Sequence, residues 1–97
     1  MKIGIHARNR DEITDAVVTA GHQLIVRWDD IPTADLIFTD EEFWGDIAAG
    51  GLAERSVVLV TESSWRFRGY LMYTLGFKDV THPSLVSKVL EFLCRTT

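Results

Sequence analysis

The chain has 97 residues, enough for one hydrophobic core and too few for two, so we expect a single domain over residues 1–97. Apolar residues make up 46% and charged residues 25%, which excludes a disordered chain. The formal charge is −4, and the Arg and Lys residues are scattered, which argues against direct nucleic-acid binding.

The amino-terminal part predicts a strand, a helix and a second strand. Residues 2–7 are continuously apolar, as in a strand buried on both faces of a parallel sheet. Asn9 and Glu12 resemble a capping box, and the helix that follows ends at Gly21. Residues 23–28 predict the second strand.

The next connection is short. Residues 35–39 predict the third strand, and only residues 29–34, including Pro32, lie before it. Parallel neighbours usually need a crossover of a dozen or more residues. We therefore expect the second helix of the usual pattern to be missing or reduced to a turn.

The remaining elements alternate regularly. Residues 43–49 predict a short helix, residues 56–61 the fourth strand and residues 78–82 the fifth. Ser63 or Ser64 is expected to cap a helix that runs to about Leu75, and Ser84 to cap an apolar-striped final helix that includes Leu93 and Cys94. This alternation predicts a flavodoxin-like, doubly wound, five-stranded parallel sheet in the order 2-1-3-4-5. Its working surface is expected at the carboxyl ends of the strands.

Cys94 is the single cysteine, so an internal disulfide and a cysteine metal cluster are excluded. Residues 2–5 already read as a strand, and no apolar run approaches the ~18 residues of a membrane span. We expect a cytoplasmic domain without membrane contact.

The strand ends resemble the receiver domain of two-component response regulators. Residues 35–40 are similar to the family's third strand, which closes with the phosphoryl-accepting aspartate, here Asp40. Residues 57–61 resemble its fourth strand with the switch hydroxyl, here Thr61. Residues 74–83 resemble the run leading to its Lys-Pro pair, with His82 at the lysine position.

The departures from the family concern charge. Ala7 and Arg8 stand where the family has two acids that hold magnesium, and Arg8 brings a permanent positive charge instead. The resemblance therefore implies a degenerate receiver, for which we expect no metal and no cofactor. Asp40 has a competing interpretation as a cap of the following helix. Arg8 forms an ion pair with Asp40 or is a solvated loop residue. Thr61 is a relic of the switch or a residue that bonds its own turn.

His82 precedes Pro83, and the resemblance implies a cis peptide between them.

The helix predicted to end at Leu75 has more apolar residues than one buried face requires. Leu71 and Leu75 are expected to reach the core together with either Phe67 or Thr74. The candidates for an exposed interface are Trp65, Arg66, Met72 and Tyr73, of the types enriched in protein interfaces.

Together these patterns predict a pseudo-receiver, a non-catalytic regulatory module that binds a protein partner or itself through its fourth helix. The alternative is a phosphorylatable receiver that uses Asp40. A small-molecule or nucleotide site at the strand ends ranks last, because no Gly-rich phosphate loop follows the first strand.

Overall fold

The sheet has the predicted topology. The computed structural model describes residues 1–8 and 10–95, without the side chains at 62–64 and 93–95. The strands within this part are β1 (Lys2–His6), β2 (Gln23–Ile25), β3 (Leu36–Asp40), β4 (Ser56–Leu59) and β5 (Asp79–Thr81). All pairings are parallel and the order is β2-β1-β3-β4-β5, which confirms the predicted sheet and is consistent with a flavodoxin-like fold.

Helices cover both faces of this sheet. On one face, α1 (Arg10–Thr19) and α3 (Val86–Arg95) pack over a cluster that includes Phe38 and Leu90. On the other face, α2 (Trp44–Ala49) packs over a cluster that includes Ile37 and Ile47. Successive β3 residues thus enter opposite cores, as expected for a strand that is apolar throughout.

The second crossover is reduced, as the sequence predicts. A 3₁₀ helix, Trp28–Thr33, takes the place of a full helix and contains Pro32. Its Ile31 is completely buried in the cluster beneath α2 that includes Ile37 and Ile47. A Cβ atom on Gly4 would lie 3.0 Å from Ile31 Cδ1, so glycine in β1 lets this short connection pack directly on the sheet.

The segment after β4 differs from the prediction of one regular α-helix. A 3₁₀ helix, Glu62–Phe67, is followed by a π-helical turn, Tyr70–Thr74, closed by a hydrogen bond from Leu75 N to Tyr70 O of 3.2 Å. The reason lies in the apolar pattern, which fits no single stripe of period 3.6, and in Gly69, which weakens helix formation. The wider turn brings Leu71, Met72 and Leu75 to the core.

Two predicted placements in this segment are therefore wrong. The third core residue is expected to be Phe67 or Thr74, but Phe67 is 48% exposed and Thr74 is also exposed. Met72 was expected in solvent and packs, half-buried, against the core cluster. The irregular backbone rotates these side chains away from the positions of an ideal helix.

The start of the last helix also corrects the sequence analysis. The described peptide bonds are all trans, including that between His82 and Pro83. His82, not Ser84, caps the 3₁₀ turn Pro83–Leu85, because its Nδ1 accepts a hydrogen bond from Ser84 N at 3.1 Å. An extended His82 backbone with this side-chain bond forms the turn without a cis bond.

Some predicted roles fall outside the description. These are the caps assigned to Asn9 and to the side chain of Ser63 or Ser64, and the placements of the Leu93 and Cys94 side chains. Among the helices that are described, none combines the length and apolar character needed to cross a lipid bilayer.

Candidate functional site

The carboxyl ends of β1, β3 and β4 meet at one edge of the sheet, where they border an open cavity of about 870 Å³. The cavity brings together three residues that the sequence predicts at the site, Arg8, Asp40 and Thr61. Pro83 also lines it, whereas His82 is not among its described lining residues.

The carboxylate of Asp40 is held by backbone amides. Its Oδ1 accepts hydrogen bonds from the N–H groups of Glu42, at 3.0 Å, and Phe43, at 3.1 Å. Its Oδ2 accepts one from the N–H of Arg8, at 2.7 Å. Asp40 thus closes the turn that leads into α2 and ties the end of β1 to the end of β3. Asp40 therefore stabilises the turn before α2 with its side chain and does not cap the helix itself, whose N-cap is Phe43.

The guanidinium of Arg8 pairs with Glu42 and not with Asp40. Its Nη1 lies 2.6 Å from Glu42 Oε1, and the two side chains are 71% and 51% exposed. The hydrogen bond to Glu42 and the charge of Glu42 raise the pKa of Arg8, with a smaller contribution from Asp40. Because both side chains are largely exposed to solvent, this ion pair contributes little to the stability of the fold.

Two acidic residues at this edge have defined roles that the sequence did not show. Glu41 Oε1 accepts a hydrogen bond from Thr61 N at 2.8 Å, which links the loop after β3 to the end of β4. Glu42 pairs with Arg8, as described above. Neither residue is singled out by the sequence analysis, since carboxylates in loops are usually solvated. Their position directly after Asp40, at an edge where three strands end, is the sequence feature that could have indicated these roles.

The site does not fit the magnesium ion that the receiver resemblance implies. Ala7, at one acidic position, is an aliphatic residue that is 7% exposed, and Arg8, at the other, brings a cation to the cavity. Both Asp40 oxygens already accept amide hydrogen bonds. Among the side chains that the structure describes, no group of three or more His, Cys, Asp or Glu is placed to hold a metal. A hard divalent ion needs several oxygen ligands, and this arrangement does not offer them.

The two histidines near this edge are engaged locally. His82 Nδ1 lies 2.8 Å from Ser84 Oγ in addition to its bond with the Ser84 amide, so its ring serves the turn before α3. His6 Nε2 lies 3.0 Å from Asp46 Oδ2, and the His6 ring is tilted against the rings of Trp28 and Phe43. These contacts are not predictable from the sequence, because all three neighbours are distant from His6 along the chain.

The predicted interface residues divide into two groups. Trp65 is 46% exposed and Tyr73 is 83% exposed, and Arg66 is also exposed, whereas Met72 is half-buried. The Arg68 guanidinium lies 5.5 Å from the centre of the Trp65 ring. We call Trp65, Arg66 and Tyr73 the aromatic surface.

Comparison of this chain with protein-family models, curated proteins and solved structures gave no match.

Proposed function

We propose that this chain is a pseudo-receiver, a regulatory domain that resembles a receiver but works by binding protein and not by transferring phosphate. The proposal rests above all on Asp40, whose carboxylate accepts three backbone amide hydrogen bonds where a receiver would present its phosphoacceptor.

The strand-end chemistry supports a non-catalytic role. A carboxylate whose oxygens accept hydrogen bonds from three N–H groups has its lone pairs engaged and is a weaker nucleophile. Metal-assisted phosphoryl transfer also depends on cations that neutralise the developing charge. At this edge, the Arg8 guanidinium lies 2.6 Å from Glu42 and is thereby partly neutralised.

The aromatic surface supports the binding role. Trp65 and Tyr73 are 46% and 83% exposed and Arg66 is exposed as well, and these three residue types are enriched where proteins bind each other. We propose that a second copy of the chain binds here.

Light scattering after size-exclusion chromatography tests the binding role. We expect wild type to form a dimer and Trp65→Asp to be monomeric, because a buried unpaired carboxylate is strongly unfavourable in an interface. Val18→Asp is the matched control, since Val18 is 59% exposed on α1 and lies outside the aromatic surface. A wild-type chain that remains monomeric at its highest soluble concentration, or a Val18→Asp change equal to that of Trp65→Asp, contradicts self-association.

We keep a second proposal, a receiver phosphorylated on Asp40. It is favoured by one observation, that Asp40 and Thr61 border the same open cavity at the carboxyl ends of β3 and β4. In this reaction, an Asp40 carboxylate oxygen attacks the phosphorus of a donor such as acetyl phosphate, and acetate leaves. Mass spectrometry after incubation with acetyl phosphate and magnesium distinguishes the two proposals, since only this one predicts a phosphorylated wild type and an unmodified Asp40→Asn.

A further inference from the structure

A second cavity opens at the end of β4, between α2 and the irregular helical segment that follows β4. It has a volume of about 520 Å³ and is lined by Glu41, Trp44, Val60, Phe67, Tyr70 and Leu71. We call it the aromatic groove. Its size lies in the range of small-ligand sites, which is roughly 300–1,000 Å³. Of its lining residues, only Glu41 also lines the strand-end cavity.

The walls of the groove are aromatic and its base is aliphatic. Val60 and Leu71 are buried, at 1% and 2% exposure. Phe67 and Tyr70 are 48% and 50% exposed, and Trp44 is half-buried with its ring edge toward Phe77. A ligand between these rings would cover apolar surface that the fold leaves in water. The π-helical turn that places Tyr70 and Leu71 is a feature often found at functional sites.

The charge of the groove selects the kind of ligand. Among its described lining residues, Glu41 carries a carboxylate and none is Lys or Arg. Glu41 Oε1 is fixed 2.8 Å from Thr61 N, which holds the acid at the groove. The Arg66 guanidinium lies 5.0 Å from the centre of the Phe67 ring, so this ring already attracts a cation.

We propose that the aromatic groove binds a small organic cation, specifically a quaternary ammonium group. The faces of aromatic rings carry partial negative charge and attract such a group, and a nearby carboxylate adds to the attraction. An anion would be repelled by Glu41, and an uncharged apolar ligand would gain from burial alone. The proposal is independent of the proposed function, because Trp65 and Tyr73 are not among the described lining residues.

Titration of isotope-labelled protein with choline, followed by amide NMR, tests this proposal. We expect the largest shifts at the lining residues. The uncharged isostere, in which carbon replaces the choline nitrogen, is expected to bind about tenfold more weakly, because it keeps the shape and loses the attraction to the rings and the acid. Equal affinity for the two compounds, or shifts centred outside the groove, would overturn the proposal.

Substitutions of two lining residues test which side chains contribute to the affinity for choline. Glu41→Gln keeps an acceptor for the Thr61 amide and removes the charge, so choline is expected to bind several-fold more weakly. Phe67→Leu keeps an apolar side chain and removes the ring, so choline is again expected to bind more weakly. Phe92→Leu is the matched control and should leave binding unchanged, because Phe92 is 67% exposed on α3 and is not among the described lining residues.

Arg66→Gln gives the sharpest test of the ligand's charge. It removes a cation beside the Phe67 ring, so choline is expected to bind at least as tightly as it does to wild type. Weaker binding of choline to this variant, or no loss of affinity in Glu41→Gln and Phe67→Leu, would contradict an organic-cation site.

Discussion

The strand-end site and the helical segment after β4 differ in how far their side chains are engaged within the fold. At the strand ends, polar groups satisfy one another: Asp40 binds three amides, Arg8 binds Glu42, and Glu41 binds the Thr61 amide. In the segment after β4, Leu71 is buried, whereas Trp65 and Tyr73 are 46% and 83% exposed.

This contrast separates residues that maintain the fold from residues available for binding. Buried and hydrogen-bonded groups contribute to the free energy of unfolding, and their contacts are internal. Exposed aromatic residues contribute little to folding and gain stability only when something covers them. Substitutions of the buried and hydrogen-bonded groups are therefore expected to change stability, and substitutions of the exposed aromatic residues are expected to change association.

The largest expected effect within the helical segment is that of Leu71→Ala. Leu71 is 2% exposed and packs in the core cluster with Ile37 and Val58, so the substitution should lower the free energy of unfolding by roughly 2–5 kcal/mol. Tyr73→Ala is the control, and its effect should be within about 0.5 kcal/mol because Tyr73 is 83% exposed. Urea unfolding measures both. Equal losses of unfolding free energy in the two variants would show that the segment is not divided into core residues and residues free of the core.

A smaller loss is expected at the strand ends. Asp40→Ala leaves three amides without their acceptor and should destabilise the fold by about 2 kcal/mol. Asp40→Asn should lose less, since its amide oxygen still accepts hydrogen bonds. Arg8→Gln keeps the backbone amide that Asp40 binds and removes only an exposed ion pair, so its effect should be smaller still. An Arg8→Gln loss as large as that of Asp40→Ala would mean that the ion pair, and not the amides, holds the site.

The sequence predicts the fold well, because the fold follows from local patterns. Alternation of apolar strands and helices predicts the parallel sheet and its order. The six residues that contain Pro32 predict the reduced second crossover. Asp40, Arg8 and Thr61 are correctly expected at one edge, because parallel strands end together.

The details of the site were less predictable, because they depend on which of several neighbours a side chain meets. Asp40 and Glu42 were both available to the Arg8 guanidinium, and only the loop geometry selects Glu42. The π-helical turn depends on how Leu71, Met72 and Leu75 fit a core made by distant strands. The bond before Pro83 has the trans form that most X–Pro bonds adopt, whereas the cis form is implied by the family resemblance alone.

The central claim is that both Asp40 carboxylate oxygens are occupied by hydrogen bonds from backbone amides and do not bind a metal ion. It is tested most directly by recording the amide resonances of Arg8, Glu42 and Phe43 as magnesium and beryllofluoride are added. The account predicts that these resonances do not move. Saturable shifts centred on these amides, present in wild type and lost in Asp40→Asn, would contradict it and restore Asp40 as a working phosphoacceptor.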